Sequence, residues 1–413
     1  SSKAVLDHPD LITEHGSPGP LTYEIELYQG CVRFKRGCRF CIEPKKGLPL
    51  WRPEEDVLSE ITGALDSGVA NIRIGGATDI YTYKAEGVED LEYPIPNPEP
   101  IAKVLHGARE DERLQILHVD NANPSIVAEN IEPSTEITRT LVDTLSDGAV
   151  LSFGLESADP EVLEQNWLNC DPEQLKIAVR HINEFGRGRG QRGLPQLLPG
   201  LNFIAGLNGE TEESYRMNLE LLKSIRLEGL WLRRINIRQV EGQGFQEIPE
   251  KAFKKFKLKV RNEFDSPLLE EMLPTGTILR DIWWEAQDDR IRRPEQVLDP
   301  KYRDQSIRGK PGVTFGRQIG AYPILVGVPY RIPLETSSDI MVTGHGKRSI
   351  TGVEMGLDVN TATQHQLQSI PGISSKGAWR LISARAREED GNFDSVEEAF
   401  NAAELELPQY WKG

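Results

Sequence analysis

Short apolar runs alternate with amphipathic, helix-periodic segments through the first 290 residues of the chain. An extended entry at residues 23–28 is followed by Pro53-Glu54-Glu55-Asp56, where proline and acids mark a helix start, and Gly68 marks its end. Residues 70–75, 114–119, 149–153, 201–204 and 230–237 read as strands, with helices over 160–165, 172–185 and 212–225 between them. This alternation predicts a parallel sheet whose ligands sit at the carboxyl ends of the strands. Beyond Arg290 the pattern changes: β-branched and aromatic runs broken by glycines predict a small β-barrel over 314–353, and helical periodicity returns after Asp358.

With 413 residues the chain has ample length for one large domain and one or two small ones. No stretch approaches the ~20 continuous apolar residues that cross a bilayer, so no membrane is expected. The polar start Ser1-Ser2-Lys3 lacks the basic and apolar regions of a secretory leader, which predicts a cytoplasmic protein. A start other than Met leaves room for a further domain upstream. The net charge of −16 argues against indiscriminate polyanion binding, although a local basic stripe can still hold nucleic acid.

Three of the four cysteines crowd into Gly30-Cys31-Val32-Arg33-Phe34-Lys35-Arg36-Gly37-Cys38-Arg39-Phe40-Cys41, and Cys170 stands far away. Three thiols cannot pair off among themselves, and a chain of this length needs no staples, so metal ligation is the natural reading. Three thiolates leave one coordination position open on zinc or on an iron-sulfur cluster. Polar groups also follow several predicted strands: Ile74-Gly75-Gly76-Ala77, Phe153-Gly154-Leu155-Glu156-Ser157, and Ile204-Ala205-Gly206-Leu207-Asn208-Gly209. Paired glycines let a ligand approach the backbone, though each motif alone is also an ordinary turn.

In this order the motifs resemble the radical S-adenosylmethionine superfamily, and in particular an archaeal-type group with a terminal helix-hairpin-helix. The resemblance covers residues 20–290. It implies an α/β fold, a partial (β/α)6 TIM-type barrel, in which Cys31, Cys38 and Cys41 hold three irons of a [4Fe-4S] cluster. The fourth iron would chelate S-adenosylmethionine, whose reductive cleavage yields a 5′-deoxyadenosyl radical. On the same resemblance Gly75, Gly76 and Ala77 meet the methionine amine, Phe40 packs beside the adenine, Glu156 and Ser157 are ribose or methionine contacts, and Asn202, Ile204 and Gly206 line the adenine. The six-residue first gap between cysteines exceeds the family's usual three, and Ala77 replaces a common acidic residue. Asn166-Trp167 stands where methylthiotransferases offer an arginine, so Arg233, Arg234 or Arg238 is a replacement, with salt bridging at the barrel rim as the alternative. Asp79, His118, Asp120 and Asn121 are further candidates to face carboxylate or substrate. A structural hydrogen-bond network is the competing role for His118, and a small core residue the competing role for Cys170.

The expected domains are an N-terminal extension (1–20), the radical barrel (21–290), a small β module (291–355) and a helix-hairpin-helix (356–413). Gly316-Arg317-Gln318 and His345-Gly346-Lys347-Arg348 loosely resemble the TRAM-type barrel of tRNA methylthiotransferases. Leu367 to Ala378 resembles a hairpin whose exposed amides can hold a nucleic-acid phosphate, with Pro371, Gly372, Ile373, Ser374 and Lys376 as candidate contacts. Ser374 replaces the usual second glycine, and protein docking is the alternative use of such a module. Lys254 and Lys255 lie in a basic stripe, residues 251–261, interleaved with aromatics, which is either a solvated face or a phosphate track.

The expected activity is modification of nucleic acid, tRNA foremost, with ferredoxin or flavodoxin as external electron donor. A protein-modifying or cobalamin-dependent methylating enzyme is the alternative; cobalamin itself has no domain in this sequence. A noncatalytic metal-binding nucleic-acid scaffold is the alternative of another class. A repair glycosylase shares the first two cysteine gaps, but Gly47 stands at its fourth cysteine and its cluster follows the hairpin instead of preceding it.

Overall fold

The computed structural model describes residues 20–76, 79–242, 244–288, 312–388 and 391–412. Ala77 and most of the expected N-terminal extension lie outside them. The chain divides into two compact units, Ser1–Leu268 with Ile319–Tyr322, and Leu269–Gln318 with Pro323–Gly413.

The first unit is built on parallel strands laid down in sequence order. Strand β1 (Thr22–Ile25) pairs with β4 (Asn71–Ile74), which pairs with β5 (Ile116–Val119). Asp120 then separates β5 from β6 (Asn121–Ala122), and its carbonyl accepts the Ser152 amide at 2.8 Å. From β6 the array continues through β7 (Ala149–Glu156), β8 (Leu197–Ala205) and β9 (Arg234–Gln239), all parallel. Six strand positions with helical crossovers result, and β9 does not pair with β1 among the described residues. A short antiparallel pair, β2 (Tyr28–Gln29) and β3 (Leu50–Trp51), brackets the cysteine segment.

Local sequence explains most of these elements. In helix Glu54–Asp66 the buried Val57, Ile61, Ala64 and Leu65 fall on one stripe, as 3.6-residue periodicity requires. Helix Pro172–Gly186 opens on a capping box between Asp171 and Gln174, and Glu212–Leu227 on one between Thr211 and Ser214. Strand β8 begins four residues before the expected start, because Pro199-Gly200 reads as a turn. Its Pro199 carbonyl nevertheless accepts Arg233 N–H at 2.9 Å, and a Cβ on Gly200 would stand 2.8 Å from Val150. Helix Ile131–Thr144 is threonine-rich; Thr135, Thr138, Thr140 and Thr144 each return a hydroxyl to the carbonyl four residues back. Such residues weaken the sequence signal for a helix that tertiary packing then enforces.

The second unit contains a closed antiparallel-rich barrel, β10 (Ile278–Asp288), β11 (Val313–Gln318), β12 (Leu325–Val328), β13 (Ser337–His345) and β14 (Ser349–Glu354), in the order β10-β11-β12-β14-β13. Its first strand precedes the boundary expected at 290. Trp284 is fully buried there, its indole N–H donating to Ser338 Oγ at 2.8 Å. Helices Gln364–Ser369, Ser375–Arg385 and Val396–Ala402 follow.

Candidate functional site

The cysteine segment is a loop cinched at its neck. Cys31 N–H donates to the Gly47 carbonyl at 3.2 Å, and Gly30, at φ +92°, leaves no room for a Cβ, which would lie 2.7 Å from that carbonyl. Within the loop, Cys41 N–H donates to the Cys38 carbonyl at 3.1 Å. Arg33 organises the sulfurs: its amide approaches Cys31 Sγ and its Nη1 approaches Cys38 Sγ, both at 3.4 Å, while Nη1 also donates to the Trp167 carbonyl at 2.9 Å. Arg39 N–H donates to the Asn166 carbonyl, and Asn166 is tied in turn to Asn208. The loop is therefore braced against the turn after β8.

Burial pushes all three thiols up, Cys38 to about 11, and the three sulfurs perturb one another electrostatically. A metal must displace those protons, and cationic Arg33 favours the thiolate forms. No group of three His, Cys, Asp or Glu side chains is gathered to hold a single ion among the described residues. Three free, mutually coupled sulfurs on one braced loop, with donors aimed at two of them, fit the ligand set of an iron-sulfur cluster.

Around this loop stand the carboxyl ends of the strands. After β4, a Cβ on Gly75 would strike the Glu24 carboxylate, and one on Gly76 would lie 2.5 Å from Glu26. Buried Asp79 accepts the amides of Tyr81 and Asn123, each at 3.0 Å, linking the turns after the second and third strand positions. Burial raises its carboxyl to about 7.

Glu156 carries the most unusual geometry. The register of β7 with β8 slips between Gly154 and Glu156, and Glu156 adopts φ +72°, a conformation that costs a non-glycine residue about 1–2 kcal/mol. Its Oε2 is buried without a hydrogen-bond partner in a half-buried side chain. Burial raises the carboxyl to about 8, partly opposed by Arg238. Its field reaches Cys38 and Cys41. Strain, a bulge and an orphaned oxygen at one residue mark a place shaped for a ligand.

The other expected contacts divide. Phe40 packs with Val162, Ile204 and Leu207, so the aromatic before the third cysteine meets the end of β8. Gly206, at φ +92°, is closed in by the Val240 carbonyl, and its amide donates to Glu210. Asn202 accepts from Asn236 at 2.9 Å across the strands. Ser157, by contrast, is buried and its hydroxyl accepts Asp159 N–H, an ordinary turn bond. His118 is engaged at both ring nitrogens, by the Ser146 carbonyl and by Ala321 N–H, and burial lowers it to about 4. Asp120 pairs with Arg73 and with the hydroxyl of Tyr322, over whose ring Arg73 and Arg234 lie at 5.7 and 4.5 Å. Arg233 donates to the Tyr322 carbonyl at 2.8 Å. Arg233 and Arg234 thus stand at the start of β9, whereas Arg238 stands toward its carboxyl end. Asn121 is half-buried in β6.

Cys170 is buried with its Sγ 3.1 Å from the Asp171 carbonyl, and burial pushes the thiol well up. In helix Glu250–Lys259, Phe253 and Phe256 face the core: Phe256 stacks on Tyr215 and meets Phe203 edge-on, and Phe253 lies tilted against Tyr215, so the interleaved aromatics are packing residues. Lys254 pairs with Glu250 at 3.1 Å, and Lys255 is exposed. In the second unit, Pro371 and Gly372 are exposed, Ile373 is buried, and Ser374 caps helix Ser375–Arg385 by accepting Gly377 N–H at 3.0 Å; Lys376 is exposed in its first turn. Sequence reasoning missed Arg33, Glu210, Arg73 and Tyr322. Arg33, between two cysteines, was findable, whereas Tyr322 joins Asp120 across 202 positions.

No protein-family model matches the chain. An uncharacterized protein of Methanocaldococcus jannaschii is 38% identical over 355 residues, 83% of this chain and 62% of its own length. Another, from Archaeoglobus fulgidus, is 37% identical over 377 residues, 88% of this chain and 65% of its own. The chain spans less than two thirds of both. The ribosomal protein uS12 methylthiotransferase RimO of Salmonella schwarzengrund is 26% identical over 269 residues, covering 62% of this chain and 54% of RimO. Among solved structures, coproporphyrinogen III oxidase (HemN) from Escherichia coli, a radical SAM enzyme, aligns at TM-score 0.38 and 14% identity, covering 73% of this chain and 67% of that one. The likeness to HemN is loose and fixes no residue's role.

Proposed function

We propose that the chain is a radical S-adenosylmethionine enzyme that modifies nucleic acid, with tRNA as the favoured substrate. The observation that carries the enzyme reading is the convergence, at one end of a parallel strand array, of a braced three-cysteine loop with the strained, partnerless carboxyl of Glu156. The sequence similarity to RimO over 269 residues supports it.

Cys31, Cys38 and Cys41 would hold a [4Fe-4S] cluster with one iron open to S-adenosylmethionine, and this pair supplies low-potential cleavage of the sulfonium bond to a 5′-deoxyadenosyl radical. The chain's own residues do the positioning. Gly75 and Gly76 make room after β4 for the Glu24 and Glu26 side chains, which stand where a Cβ would be, and the turn they form is our candidate to meet a ligand's amine. Phe40 and Ile204 offer an apolar shelf for a base. Glu156, holding its proton near neutrality, can donate from one oxygen and accept at the other, a match for a ribose hydroxyl pair. Arg238 is our candidate to take a carboxylate, since Arg233 and Arg234 are engaged with Tyr322 and its surroundings. Fixed donors of this kind act without reorganising when the substrate arrives.

The closed small barrel and the exposed Pro371-Gly372 turn ahead of a capped helix support a nucleic-acid target in the second unit. RimO is named for a ribosomal protein substrate, so protein modification is the second reading. The test is paired. Anaerobically reconstituted protein with dithionite should release 5′-deoxyadenosine, and a deletion strain should lose one modified nucleoside from its tRNA mass profile. Absence of 5′-deoxyadenosine refutes the enzyme; an intact nucleoside profile with an altered ribosomal-protein mass selects the second reading.

A further inference from the structure

Six residues separate Cys31 from Cys38, and they bring Arg36 up to a second cation, Arg39, which lies between Cys38 and Cys41. Both guanidiniums lie against one indole, their centres 5.3 and 4.6 Å from the Trp167 ring. Both side chains are exposed, and among the described residues neither forms an ion pair or a side-chain hydrogen bond. Trp167 is itself held in place: its backbone stands at φ +54° and its carbonyl accepts Arg33 Nη1 at 2.9 Å. Beside the pair opens a cleft of about 500 Å³, floored by the turn after β8. Asn208 there exchanges two backbone hydrogen bonds with the Asn166 side chain, at 2.8 and 3.1 Å, while its own carboxamide has no partner among the described residues. Gln165 and Gln246 add further carboxamides, and Glu164 is the one carboxylate among the lining residues.

Two like charges held at one ring repel each other, and an anion set between them relieves that repulsion. Stacking fixes each guanidinium plane on the indole and leaves its N–H edge free, so the donors lose little freedom when they close on an oxyanion. Guanidinium forks match the paired oxygens of a phosphate bidentately. Carboxamides both donate and accept, which suits ribose hydroxyls and base edges next to that phosphate. An acidic peptide would use only their donor half. Glu164 repels any polyanion, but the two cations outweigh it.

We propose that this cleft holds a backbone phosphate of the polynucleotide substrate, with Arg36 and Arg39 as its clamp and Asn208 beside the sugar. The proposal rests on the nucleic-acid reading of the proposed function and adds to it the place where the strand crosses the cysteine loop. Because Arg39 lies between two of the three cysteines, a phosphate gripped there stands beside the metal ligands, with the neighbouring nucleoside at the mouth of the strand array. The long first gap then has a purpose, since it supplies half of the clamp.

The test measures binding of a short, fluorescein-labelled oligouridylate without terminal phosphates to the full metal-free chain, by anisotropy, from about 50 to about 300 mM salt. The proteins are the parent, Arg36→Gln, Arg39→Gln, the double variant, and Lys45→Gln, which removes one exposed charge from the same loop outside the cleft. The double variant should bind about tenfold more weakly at low salt, and its log affinity should fall less steeply with log salt, by about 0.7 for each guanidinium removed. Each single variant should lie between, so either suffices if the double one loses the parent's circular dichroism. Lys45→Gln should change affinity by less than about twofold. No binding by the parent at low salt, an unchanged salt slope in the arginine variants, or a loss no larger than that of Lys45→Gln overturns the proposal. Competition separates the sources of the anion. If uridine 5′-monophosphate or polyglutamate displaces the labelled strand as well as unlabelled oligouridylate does, at equal concentration of anionic groups, the cleft is a free-nucleotide site or an acidic-protein dock, and either result overturns the proposal. An intact tRNA nucleoside profile in the deletion strain, with the arginine variants still losing oligouridylate, would refute tRNA as the substrate and still support the cleft as a polynucleotide phosphate site.

Discussion

Replacing Glu156 by Gln isolates what its buried carboxyl does to the fold. The substitution keeps size and hydrogen-bonding shape and deletes only the ionisation. In the folded chain burial raises this carboxyl from the ordinary 4.5 to about 8, so between those values the folded state holds a proton that the unfolded state has released. Unfolding therefore sheds protons, and stability falls as pH rises through that window, the full loss being reached above about pH 8. A displacement of that size corresponds to about 5 kcal/mol at most, and lumen water reaching the half-open side chain brings the working figure to roughly 2–4 kcal/mol. Glu156→Gln should be free of that loss. Urea unfolding of the metal-free, reduced chain, followed by tryptophan fluorescence at pH 5, 7 and 9, gives both curves. Because the Glu156 charge also raises Cys38 and Cys41, both curves are taken in a Cys38→Ser/Cys41→Ser background, so the difference between the two reports Glu156. The gap should widen in the variant's favour by those few kcal/mol from pH 5 to pH 9. A gap constant within about 0.5 kcal/mol would refute the claim that the carboxyl is held protonated by burial.

Three further substitutions probe the remaining features. Cys38→Ala should abolish visible absorption after reconstitution while leaving the circular dichroism of the metal-free chain unchanged, because among the described residues its sulfur's hydrogen bond is the one from the Arg33 guanidinium; retained absorption would remove Cys38 from the ligand set. Gly206→Ala should cost about 2 kcal/mol or more in urea unfolding, from a left-handed backbone with a Cβ set 2.6 Å from the Val240 carbonyl; a neutral result would show that this turn is looser than described. Tyr322→Phe should cost about 1.5–3 kcal/mol by removing a hydroxyl that donates to a buried carboxylate, and a thermal midpoint equal to the parent's would refute that bond.

What could be read along the chain was what depends on neighbours in sequence. Cys31 to Cys41, the pair Gly75-Gly76 and the turn beginning at Gly206 announce themselves because spacing and glycine content are local properties. The strand order was legible for the same reason, since each helix between strands leaves its own 3.6-residue stripe. Glu156 could be placed at a strand end, but not its bulge, which arises from a register slip against β8. The Arg73–Asp120–Tyr322 cluster had no local signature at all, because it closes across 202 positions. Helix Ile131–Thr144 was hidden by its own composition, and the buried faces of Phe253 and Phe256 only emerged once Tyr215 and Phe203 were beside them.

The tetrapeptide Ile319–Tyr322 belongs to the first unit, although 50 residues of the second, Leu269–Gln318, come before it in the chain. Tyr322 is separated from Arg233, which binds its carbonyl, by 89 positions. On a ribosome adding about 5–20 residues per second, that separation is a wait of roughly 5–20 s. During it the strand array has already emerged, but His118, Asp120 and Arg233 still lack the segment that satisfies them. The order of synthesis thus leaves the first unit unfinished until 50 residues of the second have been made, and makes a nascent chain stalled before residue 322 the one in which chaperone binding should be sought.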